Sequence, residues 1–131
     1  MIDVMSEAYG RELVARTQFE KEGVWAPLLA MHALNAGEPV ITGKTFTECL
    51  IEGPAVIAVM GNTRFDGCDM GWTQDSNSLL LKPQGPHLVG VIGFKDCLFV
   101  RCRLRHVGYT GHDDLIEAMK TGISSTSKVK A

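Results

Sequence analysis

The chain has no apolar run of membrane length. Its longest, Ala55 to Met60, falls far short of the roughly 20 residues a spanning helix needs. It has no excess of charge of one sign either. Thirteen Lys and Arg against 15 Asp and Glu leave a net charge of −2, whereas general binders of nucleic acid or anionic membrane carry a surplus of cations. Nucleic acid is therefore not an expected partner. The opening MIDVMSEAYGRE shows no basic region followed by an apolar stretch, so no secretory leader is expected and a reducing cytoplasm is the expected compartment. There is no Cys-x-x-Cys pair: the four cysteines follow one another at 19, 29 and 5 residues. That spacing speaks against a zinc site and for buried structural thiols. Neither a Gly-x-Ser-x-Gly elbow nor a phosphate loop is present. No catalytic residue, metal or cofactor is assigned.

What is present suits one compact domain. The chain has 131 residues, 45% of them hydrophobic, enough to bury a core. Residues 3 to 20 carry Glu7, Arg11, Glu12, Arg16 and Glu20 among Val4, Met5, Ala8, Leu13 and Phe19, and read as a helix with Ser6 as a possible cap. A second helix fits Pro27 to Ala36, with proline in its first turn and Gly37 at its exit. Residues 1–37 form a helical lead-in on this reading. From Val40 to Tyr109 β-branched and aromatic residues alternate with polar ones between frequent glycines. Strands are expected at Val40–Ile41, Thr45–Ile51, Ala55–Met60, Thr63–Met70, Ser78–Leu81, Leu88–Ile92, Lys95–Phe99 and Val100–Val107. Gly53-Pro54 and Gly61-Asn62 read as corners, and Trp72 to Asn77 as a protruding loop. A closing helix fits Asp113 to Lys120, within a 110–122 segment. A polar tail, 123–131, follows.

Within 38–109 all four cysteines share one local pattern, Phe-x-x-Cys-x-apolar: Phe46-x-x-Cys49-x-Ile51, Phe65-x-x-Cys68-x-Met70, Phe94-x-x-Cys97-x-Phe99 and Phe99-x-x-Cys102-x-Leu104. A repeat of this kind implies stacked, similar stretches of chain around one core. These eleven residues (Phe46, Cys49, Ile51, Phe65, Cys68, Met70, Phe94, Cys97, Phe99, Cys102 and Leu104) are the expected core. Large apolar residues recur at five-residue steps, as in Val89, Phe94, Phe99 and Leu104, and small ones often stand two residues before them.

From Phe46 to Leu104 this pattern resembles the pentapeptide-repeat family, whose small–x–large–x–x unit builds a right-handed quadrilateral β-helix. The resemblance implies a mainly β fold: a short right-handed parallel β-helix with an N-terminal helical lead-in and a C-terminal helix. About 20 residues would make one turn, and the 19-residue offset between Phe46 and Phe65 matches it. A less regular right-handed β-helix and a small β-sandwich with Cys-rich strands are the alternatives. An uncovered end of such a stack would leave backbone groups unpaired, so a dimer joined there is expected.

Few residues stand out as sites. Arg101, Arg103 and Arg105 alternate with Cys102 and Leu104, and would form an outward stripe able to hold phosphate or a carboxylate-rich partner. The plainer reading pairs them with Asp96, Asp66 or Asp69 on a neighbouring strand. Trp72 is a candidate partner anchor. His106, His112, Asp113 and Asp114 cluster in sequence without a metal-pair spacing, and His32 reads as a satisfied buried imidazole. Asp66, Asp69, Asp75 and Asp96 are the carboxylates a sugar-binding or sugar-cleaving β-helix protein would use. The leading expectation is a non-catalytic scaffold or protein-interaction module, self-associating as a homodimer. A small-molecule or sugar protein and an anion-binding Arg stripe are the alternatives.

Overall fold

The computed structural model describes residues 3–71, 78–82 and 90–119. The chain opens with α1 (Glu7–Ala15), capped by the Ser6 hydroxyl, which accepts from the Tyr9 N–H at 3.1 Å. The expected helix over 3 to 20 is thus corrected to a shorter one. Arg16 is already extended, and β1 (Gln18–Glu20) and β2 (Gly23–Trp25) follow. The cause is local. The Lys44 ammonium takes the Val14 carbonyl at 2.6 Å and also the Arg16 carbonyl, which closes the helix end, and Phe19 is then drawn into the sheet. α2 (Ala26–Asn35) starts with proline in its first turn, as its sequence predicts. An added Cβ on Gly10 would collide with the His32 ring. That close approach lets α1 pack on α2, and His32 is buried with Nε2 2.8 Å from the Val4 carbonyl oxygen.

The remaining strands are β3 (Val40–Thr42), β4 (Thr45–Thr47), β5 (Leu50–Met60), β6 (Arg64–Asp66), β7 (Ile92–Lys95), β8 (Leu98–Val100) and β9 (Arg103–Thr110). Residues 113–119 form a third helix, α3. Every strand pairing is parallel. One sheet has the order β1-β4-β8-β6; the other has β2-β5-β7-β3, with β9 also on β5. The segment that comes late in sequence is therefore inserted among earlier strands. β8 lies between β4 and β6, and β7 lies between β3 and β5.

That order corrects the expected fold class. A mainly β, right-handed β-helix wound turn upon turn would set β4 against β6 at the 19-residue offset. Instead β8 separates them, and the architecture is a mixed α/β fold of two parallel sheets with three helices among the described residues. The five-residue step from Phe94 to Phe99 serves two strands that slot between others, and Leu104 continues it onto β9 against β5.

The core is a column of rings. In-register parallel strands stand about 4.8 Å apart, which superposes like residues. Phe19 stacks on Phe46 at 4.8 Å, Phe46 on Phe99 at 4.8 Å, and Phe99 on Phe65 at 4.7 Å. Fully burying each such side chain contributes roughly 1.5–3 kcal/mol. The Arg16 guanidinium lies 4.2 Å from the Phe19 ring and closes one end. Phe46, Cys49, Ile51, Phe94, Cys97, Phe99, Cys102 and Leu104 are buried as expected. Phe65, Cys68 and Met70 are corrected to partly buried, because β6 is the terminal strand of its sheet.

The strands are short because the chain bends two residues after each ring. Lys21, Glu48 and Arg101 take positive φ (51°, 51° and 49°) at the places equivalent to Gly67. The strands expected at Thr45–Ile51, Thr63–Met70 and Val100–Val107 break at these bends, and the Lys95–Phe99 strand breaks at Asp96, which also has positive φ. Gly53-Pro54 is the reverse correction: no corner forms there, and β5 runs through it with a register shift between Glu52 and Ala55. The Ser78–Leu81 strand reduces to an isolated bridge between Leu80 and Tyr109. The Trp72–Asn77 loop, the first two residues of the expected Leu88–Ile92 strand and the 123–131 tail lie outside the described residues, and Ile92 opens β7 instead of closing a strand.

Candidate interaction edge and thiol groove

β6 is built from Arg64, Phe65 and Asp66. Phe65 turns inward onto Phe99, which leaves Arg64 and Asp66 together on the outer side; both are exposed. On its inner side β6 pairs β8 residue by residue, Arg64 with Leu98, Phe65 with Phe99 and Asp66 with Val100. No strand among the described residues pairs its far side. An unpaired edge of this kind presents a row of free backbone donors and acceptors.

Beside this edge lies a groove of about 520 Å³, walled by β6 and α3 and lined by Phe65, Cys68, Met70, Leu115 and Met119, with Arg64 at its rim. Tyr109 supports two of the lining residues: its hydroxyl donates to the Met70 carbonyl at 2.9 Å, and its ring meets Phe65 edge-on at 5.8 Å. Burial pushes the Tyr109 hydroxyl pKa up. A second recess of about 520 Å³ lies between α1, α2 and β3, with Lys44 on its wall.

Three cysteines form a second column beside the rings. The Arg103 N–H donates to the Cys49 carbonyl at 2.9 Å and the Asp69 N–H to the Cys102 carbonyl at 2.9 Å, so Cys49, Cys102 and Cys68 stand side by side just after the bends that follow β4, β8 and β6. Cys49 and Cys102 are buried, and Cys68 is half-buried. Burial raises the pKa of Cys49 and of Cys97, which sits apart from the column with its thiol directed at the Ile41 carbonyl at 3.5 Å. Cys68 differs. The facing Cys102 side chain, and then the Cys102 N–H at 3.4 Å, draw its pKa below the ordinary thiol value against the opposing effect of burial. Cys102 moves up in turn, through Cys68 first and burial second.

The other expected site residues do not converge. Arg101 sits at a bend, with its Nε 3.9 Å from Glu48, the equivalent bend residue just after β4. Arg103 and Arg105 are exposed on β9. Arg105 lies opposite Glu52 and Arg103 opposite Asp69, so acids flank the stripe at every step. Asp96 is turned elsewhere and accepts from the Asn62 N–H at 2.8 Å. Trp72 lies outside the described residues. Trp25 is 52% exposed at the end of β2, and its indole N–H donates to the Gly53 carbonyl at 3.2 Å. Among the described residues no three His, Cys, Asp or Glu side chains gather closely enough to hold a metal, and no helix is long and apolar enough to cross a membrane.

Sequence reading missed the β6 edge and the groove. Arg64 and Asp66 flank Phe65 with opposite charge, which is visible in the sequence, but their position at a sheet edge depends on strand order. No protein-family model, curated protein or solved structure matches the chain.

Proposed function

We propose that this protein is a non-catalytic interaction module that associates with a second copy of itself through β6. The observation that carries the reading is the self-complementary charge of the edge. Two β6 strands brought together antiparallel about a twofold axis at Phe65 set Arg64 of each copy against Asp66 of the partner subunit. The exposed backbone groups of both edges pair at the same time. The half-buried Phe65 rings meet at the axis, and each extends the ring column of the other copy.

Sedimentation equilibrium tests this. The wild-type protein is expected to dimerise. Arg64→Asp and Asp66→Arg each place like charges face to face and weaken dimerisation by about tenfold or more. The double variant, carrying both swaps, restores it. A wild-type protein that stays monomeric at all concentrations, or single swaps that dimerise unchanged while far-UV circular dichroism remains native, contradicts the reading.

A further inference from the structure

We infer that Cys68 and Cys102 form a reactive thiol pair, oxidised by peroxides to an intramolecular disulfide, with Cys68 attacked first from the groove. The geometry sets the pairing. Phe65 lies opposite Phe99 and Asp69 opposite Arg103 on parallel neighbours, which places Cys68 opposite Cys102 between them. Neighbouring strands about 4.8 Å apart fall within the roughly 4.4–6.8 Å that a disulfide spans between Cα atoms. The Cys68 sulfur already lies 3.4 Å from the Cys102 N–H and 3.2 Å from the Phe99 carbonyl oxygen.

The two thiols have different surroundings and so different roles. Cys68 lines the groove and is half-buried, so a small peroxide can reach it. Cys102 is 1% exposed, with its thiol turned to the Phe46 carbonyl at 3.2 Å. Cys49 and Cys97 are 2% and 1% exposed, and neither lines the groove or the second recess. In the first step the Cys68 thiolate attacks one peroxide oxygen. An S–O bond forms, the O–O bond breaks, and water or an alcohol leaves after taking up a proton. In the second step the Cys102 sulfur attacks the Cys68 sulfenic acid. An S–S bond forms, and the hydroxyl departs as water with the Cys102 proton. Two thiols are oxidised by two electrons and one peroxide is reduced; a dithiol reductant reverses the result.

The inference is independent of self-association, so the test uses both the wild-type protein and the Arg64→Asp variant. Each is treated folded with hydrogen peroxide, quenched with an alkylating agent, and mapped by peptide mass spectrometry. The expected product is a Cys68–Cys102 linked peptide in both, with Cys68 consumed at least about a hundredfold faster than Cys49 or Cys97. In Cys102→Ser, Cys68 is expected to stop as a sulfenic acid trapped by dimedone. In Cys68→Ser the other three thiols stay reduced. The inference is overturned if wild-type Cys68 proceeds to sulfinic acid without a linked peptide, if Cys102 pairs with Cys49 instead, or if Cys68 reacts no faster than Cys97.

Discussion

Thr110 is where the interior is least well satisfied. It is 4% exposed, and its hydroxyl has no hydrogen-bond partner among the described residues. A buried hydroxyl without a partner costs on the order of 1–3 kcal/mol. Valine has nearly the same shape and no polar atom, so Thr110→Val is expected to raise stability by about 1 kcal/mol in urea denaturation; a loss of stability would show that the hydroxyl is bonded after all. The bends are a second matter of single residues. Lys21, Glu48, Asp96, Arg101 and His106 all take positive φ, a region that favours glycine and costs other residues roughly 1–2 kcal/mol. Polar side chains of these types give no sequence signal of a left-handed bend. The sequence therefore reads as longer strands than the chain forms, while the inward Phe and Cys positions beside the bends are legible.

At the scale of elements, α1 is held by a side chain from another part of the chain. Lys44 is 5% exposed and binds the carbonyls of Val14 and Arg16. Lys44→Met keeps the apolar stem and removes the donors, leaving carbonyls at the helix end without partners. The expected cost is about 1–3 kcal/mol. Burial lowers the Lys44 pKa, so the folded state binds that proton less readily than the unfolded chain. Lys44 alone therefore makes stability rise as pH climbs from its lowered folded value toward its unfolded one, and Lys44→Met should abolish that rise. A variant as stable as wild type with the same pH profile would remove Lys44 from this role. The second helix is legible because proline, an apolar run and glycine mark its bounds. Residues 18–20 are not: Phe19 reads as one more apolar residue of the first helix, and only its pairing with residues 45–47 decides for a strand.

The whole molecule is governed by strand order. Composition and repeat indicate parallel strands stacked around Phe and Cys, and the ring column has that form. They do not indicate that residues 92–100 lodge between strands formed earlier in the chain, because like residues at five-residue steps stack equally well in any order. The candidate edge is hidden for the same reason, since β6 becomes terminal only once β8 takes the place beside β4. The most direct check of this arrangement is a proton NMR experiment on the aromatic rings. The account predicts nuclear Overhauser contacts from Phe99 to both Phe46 and Phe65, whose centroids lie 4.8 and 4.7 Å from it, and none between Phe46 and Phe65. Direct contact between Phe46 and Phe65, with Phe99 outside the pair, would contradict it.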